Sequence, residues 1–205
     1  GPSGSPFKGR LDVLPSGRNL YSNDPSSIPS KAAYEQGSKL ASEFLKRHLQ
    51  DKGDHARTLL IDLWGSATMR TAGEEFSMAL CLMGVSPTWV DSSDKVSGIE
   101  VITIPELNRP RVDVTLRISG LFRDVFPSLT QLYDQVINVL SKRYEYPEDN
   151  PFVNNTDTAR IYGPKSGNYG LRMSSNIKEY TEDNRENYGE DWIESSAWSI
   201  VGNKS

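Results

Sequence analysis

The chain has 205 residues, 36% hydrophobic and 24% charged, with a net charge of −4 and a single cysteine. That length suits one domain or one and a half, and an acidic balance without a Lys/Arg run speaks against a duplex nucleic-acid binder. No apolar run approaches the roughly 20 residues of a membrane span; lone Cys81 excludes an internal disulfide and a Cys-rich zinc site, all of which fits a cytoplasmic protein.

Residues 1–29 are rich in Gly, Pro, Ser and Asn, lack a signal-peptide core in "GPSGSPFKGR", and carry a turn signal at Asn23-Asp24-Pro25. They are expected to lie as an irregular segment on a core built elsewhere. Ser30 is the predicted N-cap of a helix in which Ala33, Gly37, Leu40, Ala41, Phe44 and Leu45 share one face, ended by Gly53. "TLLIDLW" (Thr58 to Trp64) reads as a buried strand and "GSATMRTAG" as a loop. "GEEFSMALCLMG" reads as a helix opened by Glu74 and Glu75 and closed by Gly84, with Cys81 an inert core thiol. "VSPTWV" and "GIEVITI" are strand candidates, and "PELNRPR" is a connection. In "VDVTLRIS", Val112, Val114, Leu116 and Ile118 alternate with Asp113, Thr115 and Arg117, the mark of a strand. "FPSLTQLYDQVINVL" puts Leu129, Leu132, Tyr133, Val136, Ile137 and Leu140 on one helical face. From Glu145 apolar anchors become sparse, and "ENYGEDWIESSAWSIV" alone suggests a short helix. The alternation of strands and helices predicts an α/β fold, a Rossmann-like or flavodoxin-like, mostly parallel sheet with flanking helices. The expected division is an N-terminal segment over 1–29, an α/β domain over 30–144 and an irregular extension over 145–205.

In such sheets ligands bind beyond the carboxyl ends of the strands. Two loops occupy that place, "WGSATMRTAG" and "SGLFRDVFP". If their strands are neighbours, Arg70, Arg117 and Arg123 share one rim, and a guanidinium fork there would grip carboxylates. Trp64 and Ser119, at the two strand exits, complete the candidate substrate-binding set, and Glu74 and Asp124 are the candidate bases. Structural roles stand beside these. Arg117 pairs with Asp113 or Asp124 and stitches the loop; Glu74 and Glu75 complement the helix dipole; Asp124 caps the helix near Phe126. His48 and His55 have no carboxylate-rich partner motif, so no metal ligands are assigned, and "GPKSGNYG" lacks the ending of a P-loop.

Four blocks, "LPSGRNLYSNDPSSIPSKAAYEQG", "LWGSATMRTAGEEFSMALCLMGVSPTWV", "LNRPRVDVTLRISGLFRDVFPSL" and "ARIYGPKSGNYG", resemble in order and spacing the large subunit of the aerobic cobaltochelatase, the CobN type. They are similar, less closely, to the H subunit of magnesium chelatase. The resemblance implies a ligase that forms nitrogen–metal bonds, inserting a divalent metal into a tetrapyrrole. For the cobalt branch the metal substrate is Co2+ (with Mg2+ or Fe2+ as alternatives) and the ring is hydrogenobyrinic acid a,c-diamide. It also implies that separate AAA+ ATPase subunits, not this chain, hydrolyse the ATP. Large subunits of the family are far longer, so the chain is expected to be a fragment or a reduced relative that lacks turnover alone and works with the remainder of the subunit. Two alternatives stay open: a tetrapyrrole-binding or haem-dechelatase-like relative without ATP-driven insertion, and a purely structural fragment.

Overall fold

The computed structural model describes residues 24–153, 159–164 and 198–199. A 3-10 turn, Pro25–Ser27, opens it and leads to buried Ile28. In chain order follow α1 (Lys31–Lys52), β1 (Thr58–Leu63), α2 (Gly65–Thr71), α3 (Glu74–Met83), β2 (Val85–Trp89), β3 (Val96–Val101) and α4 (Ile104–Leu107). Then come β4 (Asp113–Ile118), α5 (Gly120–Val125), α6 (Pro127–Ser141), β5 (Ile161–Gly163) and β6 (Trp198–Ser199).

The long helices form where their caps and periodicity place them. The Ser30 hydroxyl accepts from the Ala33 N–H at 3.1 Å, and Gly53, at φ 73°, ends α1. α1 packs on α3 through a close approach at Gly37. A Cβ there would stand 2.6 Å from both the Met78 backbone nitrogen and the Ser77 Cβ. The main sheet has the order β1-β4-β5-β6, with β1, β4 and β5 parallel and β6 antiparallel to β5. Both parallel crossovers step the same way across the sheet, so right-handed connections place their helices against the same face. Burial agrees: Leu63, Val114, Leu116 and Ile118 join Phe76, Leu80, Tyr133, Val136 and Leu140 in one core. Each large apolar side chain buried there contributes about 1.5–3 kcal/mol. The Tyr133 hydroxyl, fully buried, donates to the Val114 carbonyl at 2.7 Å.

Several elements differ from expectation. β2 and β3 form their own antiparallel pair instead of joining the main sheet. Only residues 90–95 separate them, room for a hairpin but not for a parallel crossover. Both loops at the strand exits contain helices, α2 and α5. These are too short for a 3.6-residue period to be read. The connection "PELNRPR" holds α4, started by a Thr103–Glu106 capping box, and two arginines that turn inward. Arg109 donates to the carbonyls of Cys81 and Leu82, and buried Arg111 to those of Met83 and Gly84, so the two satisfy the C-terminal end of α3.

The core also reaches past residue 144. Glu145 accepts both forks of Arg111 at 2.8 Å, Asn150 and Phe152 are buried, and Ile161 belongs to the sheet. Trp198–Ser199, expected in a helix, is the strand β6; the remainder of that predicted helix lies outside the described residues.

Candidate functional site

Among the described residues β1 is an edge strand, and its side chains alternate. Leu59, Ile61 and Leu63 turn toward the core, while Thr58, Leu60 and Asp62 point outward and are exposed. Trp64 continues the chain in extended conformation (φ −101°, ψ 130°), so it stands on the same side as Leu60 and Asp62. Leu60 is 57% and Trp64 60% exposed, a high value for large apolar groups four residues apart on one face. On β4 the outward set is Asp113, Thr115 and Arg117.

The β1–β4 register sets Arg117 opposite Asp62. Its Nε and Nη2 donate to Asp62 Oδ1 and Oδ2 at 2.5 and 2.6 Å, a two-pronged pair at the carboxyl end of the sheet. A second pair on the outward face differs in burial. Asp113 takes Arg160 Nε and Nη2 at 2.6 and 3.0 Å, with both side chains largely enclosed.

The strand exits are tied together. The Ser119 hydroxyl, N-cap of α5, accepts from the N–H groups of Phe122 and Gly65, each at 3.1 Å. Only glycine fits at 65, because a Cβ there would lie 2.7 Å from Leu121 Cγ and 2.8 Å from the Phe122 nitrogen. Leu121 is 44% exposed beside this contact. Arg123 donates through Nε to Asp124 at 2.8 Å and through Nη1 to the Pro164 carbonyl, which joins the exit of β5 to the same edge. Its Nη2 is buried without a hydrogen-bond acceptor among the described residues.

The predicted site residues therefore separate into two groups. Trp64, Arg117, Ser119, Arg123 and Asp124 all lie in or just beyond the carboxyl ends of β1 and β4. Arg70 lies on a different element from Arg117 and Arg123. It is exposed in the last turn of α2, about 8 Å along the helix axis from Gly65, with no ion-pair partner among the described residues. Glu74 sits beyond that end of α2, where its N–H donates to Thr71 Oγ1 at 3.2 Å and its backbone packs against Gly37 of α1.

Neither acid expected to pair with Arg117 does so, since Asp113 is held by Arg160 and Asp124 by Arg123. Nor does Asp124 cap α6, whose N-cap is Phe126 with no side-chain hydrogen bond. Asp62 is the residue sequence reasoning missed. The one signal for it was a lone acid at an outward position of "TLLIDLW".

A groove of about 280 Å³ between β3 and α6 is lined by neutral side chains, among them Ser97, Ser128, Gln131 and Gln135, and offers no cation to an acidic ligand. Among the described residues no group of three or more His, Cys, Asp or Glu is placed to hold a metal ion, and no helix is long and apolar enough to cross a membrane.

The sequence profile of the CobN/Magnesium Chelatase family matches residues 1–203. The aerobic cobaltochelatase subunit CobN of Pseudomonas aeruginosa is 40% identical over 94% of this chain and 17% of that protein. The H subunit of the magnesium chelatase of Chlorobaculum parvum is 32% identical over 98% of this chain and 16% of its own length. A solved catalytic subunit of cobaltochelatase from Mycobacterium tuberculosis shares the fold at a TM-score of 0.82 and 35% identity, covering 97% of this chain and 18% of that one. The chain thus spans 16–18% of the length of these relatives. A profile match over nearly every residue, joined to a common fold at 35% identity, establishes that this chain belongs to the CobN/Magnesium Chelatase family.

Proposed function

We propose that this chain serves as part of a metal-chelatase large subunit that binds a tetrapyrrole and supports insertion of a divalent metal, cobalt in the CobN branch. AAA+ ATPase partner subunits supply the drive. The chain's share of that work is to hold the edge of a macrocycle bearing acidic side chains, of the hydrogenobyrinic acid a,c-diamide class. One observation carries this reading: Leu60, Asp62 and Trp64 line up on the outward face of β1, with Arg117 across from Asp62. An indole and a leucine offer a flat, apolar surface to a ring, and a guanidinium beside them offers a fork to a carboxylate. Names of relatives support the metal-chelatase role, since the Pseudomonas and Chlorobaculum proteins are both named as chelatase subunits. Asp124 is engaged by Arg123 and Glu74 lies at the far end of α2, so proton transfer is assigned to neither.

The test is a tryptophan-quenching titration of the chain with uroporphyrin, which carries eight carboxylates, against etioporphyrin, which carries none. Saturable quenching by uroporphyrin alone is expected. Arg117→Ala weakens it roughly tenfold, the worth of one charge-assisted hydrogen-bonded pair, and Trp64→Ala removes the greater part of the signal. Equal binding of the two porphyrins, or no saturable binding of either, refutes the reading.

A further inference from the structure

The Arg117 fork proposed to grip a ligand carboxylate already holds one. We infer that Asp62 is a positioning residue that occupies Arg117 until an anionic ligand group displaces it, and so sets how tightly the rim holds a carboxylate. This rests on the reading that the rim binds an acidic tetrapyrrole. Three observations support it. Nε and Nη2, two donors that a carboxylate would take as a pair, are both engaged by Asp62. The pair is open to solvent, with Arg117 28% and Asp62 41% exposed, whereas the related Asp113–Arg160 pair on the same face is closed in at 18% and 9%. An ion pair that exposed contributes little to folding, so fold stability is a weak reason for it. Finally, Asp62 lies between Leu60 and Trp64 on the outward face, so a ring resting on those two side chains brings its acidic substituents against the Asp62 charge.

The pair holds the Arg117 guanidinium on the β1 side and offsets its charge until a ligand arrives. An incoming carboxylate must displace Asp62 or share the guanidinium with it, and in either case two anions stand within a few ångströms. Replacing Asp62 by its neutral amide removes that repulsion and frees more of the cation's field for the ligand. With screening close to that of bulk water, suited to so exposed a pair, unit charges about 3 Å apart repel by enough for about a tenfold gain in affinity, and it shrinks as salt rises.

The experiment titrates the 205-residue chain with uroporphyrin at low and high salt, for wild type, Asp62→Asn, Asp62→Glu, Arg117→Ala and the Asp62→Asn/Arg117→Ala double variant. Melting curves check that each is folded, and Asp62→Ser replaces Asp62→Asn if the amide variant is not. The expected pattern is about tenfold tighter binding by Asp62→Asn at low salt, near-wild-type binding by Asp62→Glu, and no gain in the double variant. If Asp62→Asn binds no more tightly than wild type while Arg117→Ala weakens binding, the role of Asp62 is overturned and the rim reading stands. If no variant binds uroporphyrin, Asp62→Asn included, both fall together.

Discussion

Arg111→Met removes a guanidinium whose five N–H donors are all used. Nε and Nη2 donate to the two oxygens of Glu145 at 2.8 Å. Nη1 donates to the carbonyls of Met83 and Gly84 at 2.9 and 3.1 Å, and Nη2 also to that of Ile102 at 2.8 Å. The Arg111 side chain has no exposure and that of Glu145 only 10%. Methionine keeps much of the volume but leaves three carbonyls and a carboxylate without this donor. Breaking a buried ion pair from one side costs about 3–5 kcal/mol. Arg143 at 2.7 Å and Asn150 at 2.9 Å still hold Glu145, which favours the lower half of that range. Against a total stability of roughly 5–15 kcal/mol, urea unfolding followed by far-UV circular dichroism should show a midpoint lower by about 2 M, for a slope of about 1–3 kcal/mol/M. Adding Glu145→Gln to Arg111→Met should cost at least ~1 kcal/mol less than the two single losses summed, because the partners are coupled. A loss below ~1 kcal/mol for Arg111→Met, or strict additivity, refutes the claim that this pair locks residues 83, 84, 102 and 145 together.

Gly37→Ala should lower stability by about 1 kcal/mol in the same assay. The methyl meets backbone at 2.6 Å, and overpacking of about 1–3 kcal/mol outweighs the roughly 1 kcal/mol gained in helix propensity. Burial tends to raise the Glu145 carboxyl, but hydrogen bonds from Arg111 and then Arg143 outweigh it and hold it at about 2, against an ordinary 4.5. Its contribution is therefore complete above pH 4.5 and drains as pH falls toward 2. Glu145→Gln should flatten the stability profile across that acid window, and an unchanged profile counts against the assignment. Tyr133→Phe should cost about 1 kcal/mol through the lost bond to the Val114 carbonyl. Ser119→Ala, which releases two N–H groups, should cost about 1–2 kcal/mol and alter hydrogen exchange at Gly65 and Phe122 alike.

The long helices were legible because several signals agree in each. Ser30 and Gly53 bound α1, Gly84 closes α3, and six apolar residues define one face of α6. The alternation in β4 was equally clear, as was the carboxyl edge that follows from a parallel sheet. What escaped depends on contacts remote in sequence. Six or seven residues of α5 and α2 make fewer than two full turns, so no period emerges. β5 has three residues and acquires its strand character only by pairing with its neighbours. Arg109 and Arg111 fall in a stretch that reads only as a connection, yet they serve the carbonyls of a helix some 27 residues earlier. The partner of Arg117 was the hardest to foresee: Asp62 lies 55 residues away and meets it only because β1 and β4 are neighbours in register.

One hydroxyl, that of Ser119, anchors the first turn of two helices that begin on adjacent strands, and Gly65 lets them touch. Trp64 and Leu121 consequently cannot drift apart as independent loop residues would; any tilt of one helix carries the other. A molecule settling on this edge meets a contour already shaped during folding, so little further ordering entropy is lost at the encounter. Under the proposed reading, discrimination among flat ligands would rest on fit to a fixed outline, not on a surface that moulds itself to each visitor.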